Sequence, residues 1–184
     1  SRDWIDLNND NATEALIEQV SNDPKHEQVV LLGSIPCTPW CTYHRILIKK
    51  YGKKYETSLQ RRRNNSMLFF RRFAKVAAAV IAREGKVAFE WPQFCEGWKQ
   101  EEVQRWIQDT QLLEAICHGG YFGMVNDKDE PIVKPWRIVT NDERLAQSLG
   151  RCRCSDTTGF ARVEGSTTPK TAFYPRAMCE TITS

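Results

Sequence analysis

An α/β fold is the class this sequence predicts, on three observations. Short apolar runs alternate with longer segments of helical periodicity. The two clearest runs, Gln28–Ser34 and Lys86–Trp91, each stop at a proline-containing turn. The composition is that of a globular domain, with 41% hydrophobic and 27% charged residues among 184. Such alternation builds a sheet covered by helices, and the order strand–helix–strand–helix–strand with a terminal hairpin implies three layers. The expected organisation is an α/β domain over residues 1–149 and a C-terminal extension over 150–184 that packs on it.

The elements follow in order. Asn11-x-x-Glu14 resembles a capping box, and Ala12, Ala15, Leu16 and Val20 continue at helical spacing until Asn22-Asp23-Pro24 stops them. Gln28–Ser34 is rich in branched residues and reads as a buried strand, followed by the two-proline loop Ile35–Cys41. Residues 42–65 are basic and polar without visible periodicity, so a long loop with at most a helical turn is expected there. Ser66–Glu84 is the strongest helix, with Phe69, Phe70, Phe73, Ala77, Val80 and Ile81 on one face and Gly85 as its cap. Lys86–Trp91 alternates as a strand, and Gln100–Thr110 is an amphipathic helix with Val103, Trp106 and Ile107 inward. Leu112–Cys117 continues as a strand or a helix end. A hairpin is expected from Tyr121–Val125, a turn at Asn126–Glu130, and Ile132–Thr140 returning. Asp142–Leu149 and Tyr174–Ile182 read as short helices, the second tolerating Pro175 in its first turn.

Charge is unevenly placed. From Arg45 to Lys75 eleven basic residues face one acid, Glu56, so that this segment carries +10 in a chain whose total is +3. Arg45, Lys49, Lys50, Lys53, Lys54, Arg61, Arg62 and Arg63, with Tyr43, Tyr51 and Tyr55 interleaved, form the pattern expected for contact with nucleic-acid phosphates. The bland alternative is a solvated surface. Seven cysteines, an odd number without framework spacing, predict free thiols. No metal centre is expected, because Cys152 and Cys154 lack a partner pair at zinc spacing. No membrane span is expected either, since Arg71, Arg72 and Lys75 break the longest apolar helix. The absence of a basic-then-apolar leader points to an intracellular protein, nuclear or cytoplasmic and not secreted, and the initial Ser1 suggests an excised fragment.

Two residues stand out chemically. Cys37 follows a strand at an exposed turn, where a thiolate can reach a substrate. Glu90 lies in an apolar strand, where a carboxylate either faces water at an edge or bonds something. In parallel sheets ligands sit at the carboxyl ends of strands, which would gather Pro36-Cys37, Glu90-Trp91-Pro92 and the His118–Gly120 turn.

Gly33-Ser34-Ile35-Pro36-Cys37-Thr38-Pro39-Trp40 resembles the catalytic Pro-Cys loop of cytosine-5 DNA methyltransferases, a loop that likewise follows a buried strand and precedes a DNA-covering segment. Glu90 in Phe89-Glu90-Trp91 is similar to the Glu of that family's Glu-Asn-Val motif. Arg137 in Lys134-Pro135-Trp136-Arg137 is similar to one arginine of its Gln-x-Arg-x-Arg strand. The resemblance implies a Rossmann-like methyltransferase sheet ending in an antiparallel hairpin, with S-adenosylmethionine as cofactor and nucleic acid, DNA rather than RNA, as partner. It implies that Cys37 attacks C6 of a flipped cytosine. Glu90 would bond the base's Watson–Crick edge through a carboxyl that holds a proton, and Arg137 would support the base or the carboxylate. Asp6 and Pro36 would lie on the cofactor side. No glycine precedes Gly33, so the family's glycine-rich cofactor loop has no counterpart here. An upstream segment or a partner chain is then expected to complete the cofactor site. Two other functions compete: a catalytically silent methyltransferase-like module that binds nucleic acid or protein, and a cysteine hydrolase pairing Cys37 with His44 or His118.

Overall fold

The computed structural model describes residues 9–22, 29–161, 163, 171 and 173–183. It is α/β. Five helices, α1 (Asp10–Asn22), α2 (His44–Ala82), α3 (Glu101–Asp109), α4 (Glu143–Gly150) and α5 (Arg176–Thr183), accompany four strands among the described residues. The strands are β1 (Val30–Ser34), β2 (Lys86–Pro92), β3 (Leu113–His118) and β4 (Pro135–Thr140). They form one mixed sheet in the order β1-β2-β4-β3, with β1 parallel to β2 and the rest antiparallel. Two compact units share the chain, Ser1–Phe89 with Phe94–Gln111, and Glu90–Gln93 with Leu112–Ser184, so that β2 contributes to both.

In the first unit the sequence is corrected most at α2. Residues expected as a loop are helical from His44, and 39 residues run to Ala82 with one break at Gly52. There φ is 65° and ψ −157°, a conformation open in practice only to glycine. Tyr55 and Leu59 continue the stripe of Ser66, Phe70, Phe73, Ala77 and Val80 backwards, and Leu59 is fully buried. Polar residues at intervening buried positions, Ser66 and the stems of Arg62 and Arg63, hid that period from sequence. The helix ends near the expected place, but Glu84, with φ 60°, takes the left-handed position while the Gly85 N–H bonds the Val80 carbonyl at 2.9 Å.

The core of this unit is aromatic. Phe89 on β2 is wholly buried among Phe70, Phe73, Trp98 and Trp106, with ring centroids 5.1–6.1 Å apart and mostly edge-to-face. Two smaller expectations also change. The α1 start is held by Asn9, whose side chain accepts the Asn11 N–H at 2.9 Å, instead of by Asn11. β1 is an edge strand and not a buried one, leaving Val30 and Leu32 exposed.

In the second unit β3 and β4 pair antiparallel from Leu113↔Thr140 to His118↔Pro135. The hairpin partner of β4 is therefore β3; Tyr121–Val125 meets the returning chain through the bridge Val125↔Pro131 and the Ile132 N–H bond to the Met124 carbonyl at 3.1 Å. The expected Asn126–Glu130 turn forms, with Asn126 Oδ1 accepting the N–H groups of Lys128 and Glu130. Asp142 caps α4 through the N–H groups of Arg144 and Leu145. Trp136, Ile138, Ile132, Leu149 and Met178 make the core.

Candidate nucleic-acid interface and the Cys37 turn

Cys37 sits three residues beyond β1, half-buried, between exposed Pro36 and a 3-10 turn over Thr38–Trp40. The turn is clamped on α2 from two sides. The Trp40 indole N–H donates to Ser66 Oγ at 2.8 Å, and the ring is 3% exposed. His44, also buried, has Nε2 2.6 Å from the Thr38 carbonyl and Nδ1 2.7 Å from the Tyr55 hydroxyl. In the neutral ring the Nε2–H donates to the carbonyl and Nδ1 accepts from tyrosine, so both nitrogens are committed. The His44–Tyr55 bond joins the two sides of the Gly52 break. Of the two histidines named for the hydrolase alternative, His44 therefore has both nitrogens in hydrogen bonds.

The basic residues divide into two groups. Lys49, Lys50, Lys53, Lys54 and Arg61 are exposed and make no ion pair among the described residues. Lys50 lies over the Tyr51 ring at 5.1 Å. The other three, Arg45, Arg62 and Arg63, are engaged within the first unit. Arg45 pairs with Glu96 at 3.1 Å, and Lys99 shares that carboxylate, its hydrogen bond chiefly holding Glu96 below the usual carboxylate range. Arg62 is half-buried over Tyr55. Arg63 donates from Nε to the Pro39 carbonyl at 3.1 Å and stacks on Trp40 at 5.2 Å.

Beside Arg63 a groove of ≈ 780 Å³ opens, lined by Trp40, Gln60, Asn64, Arg71, Gln100 and Arg105 together with the acids Glu101 and Glu102. Arg71 grips Glu102 with two nitrogens at 2.8–2.9 Å, and Arg105 holds Glu101 at 2.5 Å.

Glu90 and Arg137 belong to the second unit. Glu90 is 5% exposed on an interior strand, so the edge-strand alternative is corrected, and it accepts the Tyr174 hydroxyl proton at 2.5 Å. Tyr174 packs edge-on against Trp136 at 5.6 Å. Arg137 pairs with Glu114 of the neighbouring strand at 2.5 Å. Burial, with Cys152 and Glu90 adding to it, pushes the Cys117 thiol up to about 12. His118 accepts the Cys154 N–H on Nδ1 at 3.1 Å, and burial followed by Arg153 lowers its pKa. Asp6 lies outside the described residues.

Arg71, Arg105 and Tyr174 were not singled out from sequence as site residues; Tyr55 entered only as an aromatic within the basic stretch and Trp40 only as the end of the Pro-Cys string. The helical recurrence Gln60–Arg63–Asn64–Met67–Arg71 was the signal that could have exposed the groove-lining stripe. Among the described residues no cluster of three or more His, Cys, Asp or Glu could hold a metal ion, and no helix is long and apolar enough to cross a membrane. Compared with protein-family models, curated proteins and solved structures, the chain finds no match.

Proposed function

We propose that this chain is a nucleic-acid-acting domain of the cytosine-5 methyltransferase type, with a Rossmann-like sheet, in which Cys37 adds to cytosine. The observation that carries the reading is the setting of Cys37: half-buried on a turn clamped between β1 and α2, directly upstream of five exposed cations on the same helix. C5 of cytosine is inert until a nucleophile adds to the ring. A thiolate bonds C6, the C5–C6 electron pair moves to C5, and C5 takes a proton from water. Loss of the original C5 hydrogen as a proton and departure of the thiolate then restore the aromatic ring with a solvent-derived hydrogen. The base-edge role that the resemblance gives Glu90, and the supporting role it gives Arg137, rest on the resemblance alone, since both residues belong to the second unit. The cations of α2 would hold the phosphates of DNA.

S-adenosylmethionine would supply the methyl group in such a domain. The described residues do not fit its cradle: a Cβ at Gly33 would overlap the Phe73 ring, so that glycine serves packing, and Pro36 is exposed. The addition of Cys37 to cytosine needs no donor, and the test uses this. Wild-type protein should release tritium from C5-tritiated cytosine in duplex DNA, and Cys37→Ala should not. Equal release from both, or none from wild type, overturns the catalytic reading. The packed Gly33 favours a second reading, a silent module that binds nucleic acid through α2. Retained DNA binding without exchange, and no calorimetric signal with S-adenosylhomocysteine, would be its result.

A further inference from the structure

We propose that the groove between α2 and α3 is a phosphate-binding track, in which Arg63 presents a fixed guanidinium fork and Arg71 and Arg105 are cations held in reserve by Glu102 and Glu101. It rests on the nucleic-acid part of the reading above and not on the chemistry of Cys37.

Arg63 is the anchor. Its Nε is spent on the Pro39 carbonyl, its guanidinium carbon lies over the Trp40 ring, and Trp40 is itself pinned by Ser66. The two terminal nitrogens make no hydrogen bond among the described residues, and Arg63 is one of the residues that line the groove. A guanidinium fixed this way has already lost the rotamer freedom that binding would cost, and its remaining edge matches two phosphate oxygens. Gln60, Asn64 and Gln100 add amide donors along the same walls.

Arg71 and Arg105 bind their carboxylates at exposed positions, with side chains 54% and 65% accessible. Exposed ion pairs hold weakly, so an incoming phosphate can displace the glutamate at little cost. The ligand class follows from continuity. Lys53, Gln60, Asn64, Met67 and Arg71 recur at helical spacing, so the groove and the exposed lysine stretch share one stripe of α2. From Lys53 to Arg71 that stripe extends about 27 Å at the helical rise per residue. Along that length Lys53, Arg63 and Arg71 place cations on the face, with amides between them, which suits a polymer charged at every step, about eight phosphates of a DNA strand.

Fluorescence anisotropy with a labelled single-stranded and a labelled duplex oligonucleotide, over a range of salt, tests this on the intact chain. Arg63→Lys keeps the charge but loses the fork, and should weaken binding about tenfold. Arg63→Ala should in addition lower the salt slope by about 1. Glu102→Gln frees Arg71 and removes a like charge from the wall. It should tighten binding about threefold at low salt, with the gain vanishing at high salt. Because Glu102→Gln is a gain, it stays informative even where Arg63→Ala fails to fold. If wild type binds while Arg63→Lys and Glu102→Gln leave affinity and slope unchanged, the groove is overturned and nucleic-acid binding by the rest of α2 stands. If wild type binds neither oligonucleotide at low salt, both fall. If polyglutamate competes as well as oligonucleotide, the groove takes carboxylates and the phosphate assignment is wrong.

Discussion

Gly33→Ala should destabilise the first unit through one named ring. Gly33 is buried in β1, and an added Cβ would stand 2.7 Å and 2.8 Å from Cδ2 and Cζ of Phe73, and closer still to Cε2. Carbon pairs prefer about 3.5–4.0 Å, so the ring must retreat by roughly 1 Å. It cannot do so freely, because Phe73 is 3% exposed and packed against Phe89 at 5.1 Å and Trp106 at 5.7 Å. Overpacking of this kind costs about 1–3 kcal/mol, and about 2 kcal/mol corresponds to a fall in Tm of about 4–8 °C for a chain of this size. Phe73→Leu alone loses aromatic contacts and should cost about 1.5 kcal/mol, but it vacates the space the new methyl needs. The double variant should therefore be about 1–2 kcal/mol more stable than the sum of the single ones. Urea denaturation of the four proteins at constant m value measures that coupling. Additivity within about 0.5 kcal/mol would show that Phe73 is not what Gly33 accommodates.

Iodoacetamide labelling followed by mass spectrometry should modify the exposed Cys41 and Cys179 first and spare the buried Cys95, Cys117 and Cys152 until the chain unfolds. Cys117 should be the last, since its thiol is pushed up to about 12 and thiolate is the reactive form; modification of Cys117 as fast as Cys41 would contradict its burial. For His118 the sign follows from its lowered pKa. Well above the ordinary value near 6.5 the folded and unfolded chains are both neutral there, and His118 contributes nothing to pH dependence. As pH falls through that value the unfolded chain gains a proton that the folded chain refuses, and stability declines until the depressed folded pKa is reached. His118→Asn keeps an acceptor for the Cys154 N–H without the titration, so its urea midpoint should fall less between about pH 7 and pH 5 than that of wild type. Equal slopes would remove His118 as a source of acid sensitivity.

The legible parts of the fold were those where one force dominates. Lys86–Trp91 and the Phe70–Val80 face are apolar enough that burial alone decides them, and both lie where expected. Asp142 and the Asn126 turn were legible because a short polar side chain has one strong local use. Pairing was less so. Tyr121–Val125 has the composition of a strand, but the register from Leu113 to His118 buries Ala115 and Cys117 beside Trp136 and Ile138, a gain set by residues far apart in sequence. The burial of β1 was overestimated for the same reason, since an apolar run does not announce whether it lies at an edge.

The candidate site was hidden by the same residues that make it. Over residues 44–66 the inward positions of α2 carry His44, Tyr55 and Ser66, with the stems of Arg62 and Arg63 half-buried beside them, instead of an unbroken apolar stripe. Each polar choice carries a cost that an aliphatic residue would avoid, and most are offset by a named bond: His44 to Thr38 and Tyr55, Ser66 to Trp40, Arg63 to Pro39. Together these bonds hold the Cys37 turn, the Gly52 break and the Arg63 fork as one network within the first unit. A helix that served only to cover a sheet would gain stability from Leu at those positions. Local rules broken in concert, around a half-buried thiol and a pinned guanidinium, are the pattern that the proposed binding role would leave in this stretch.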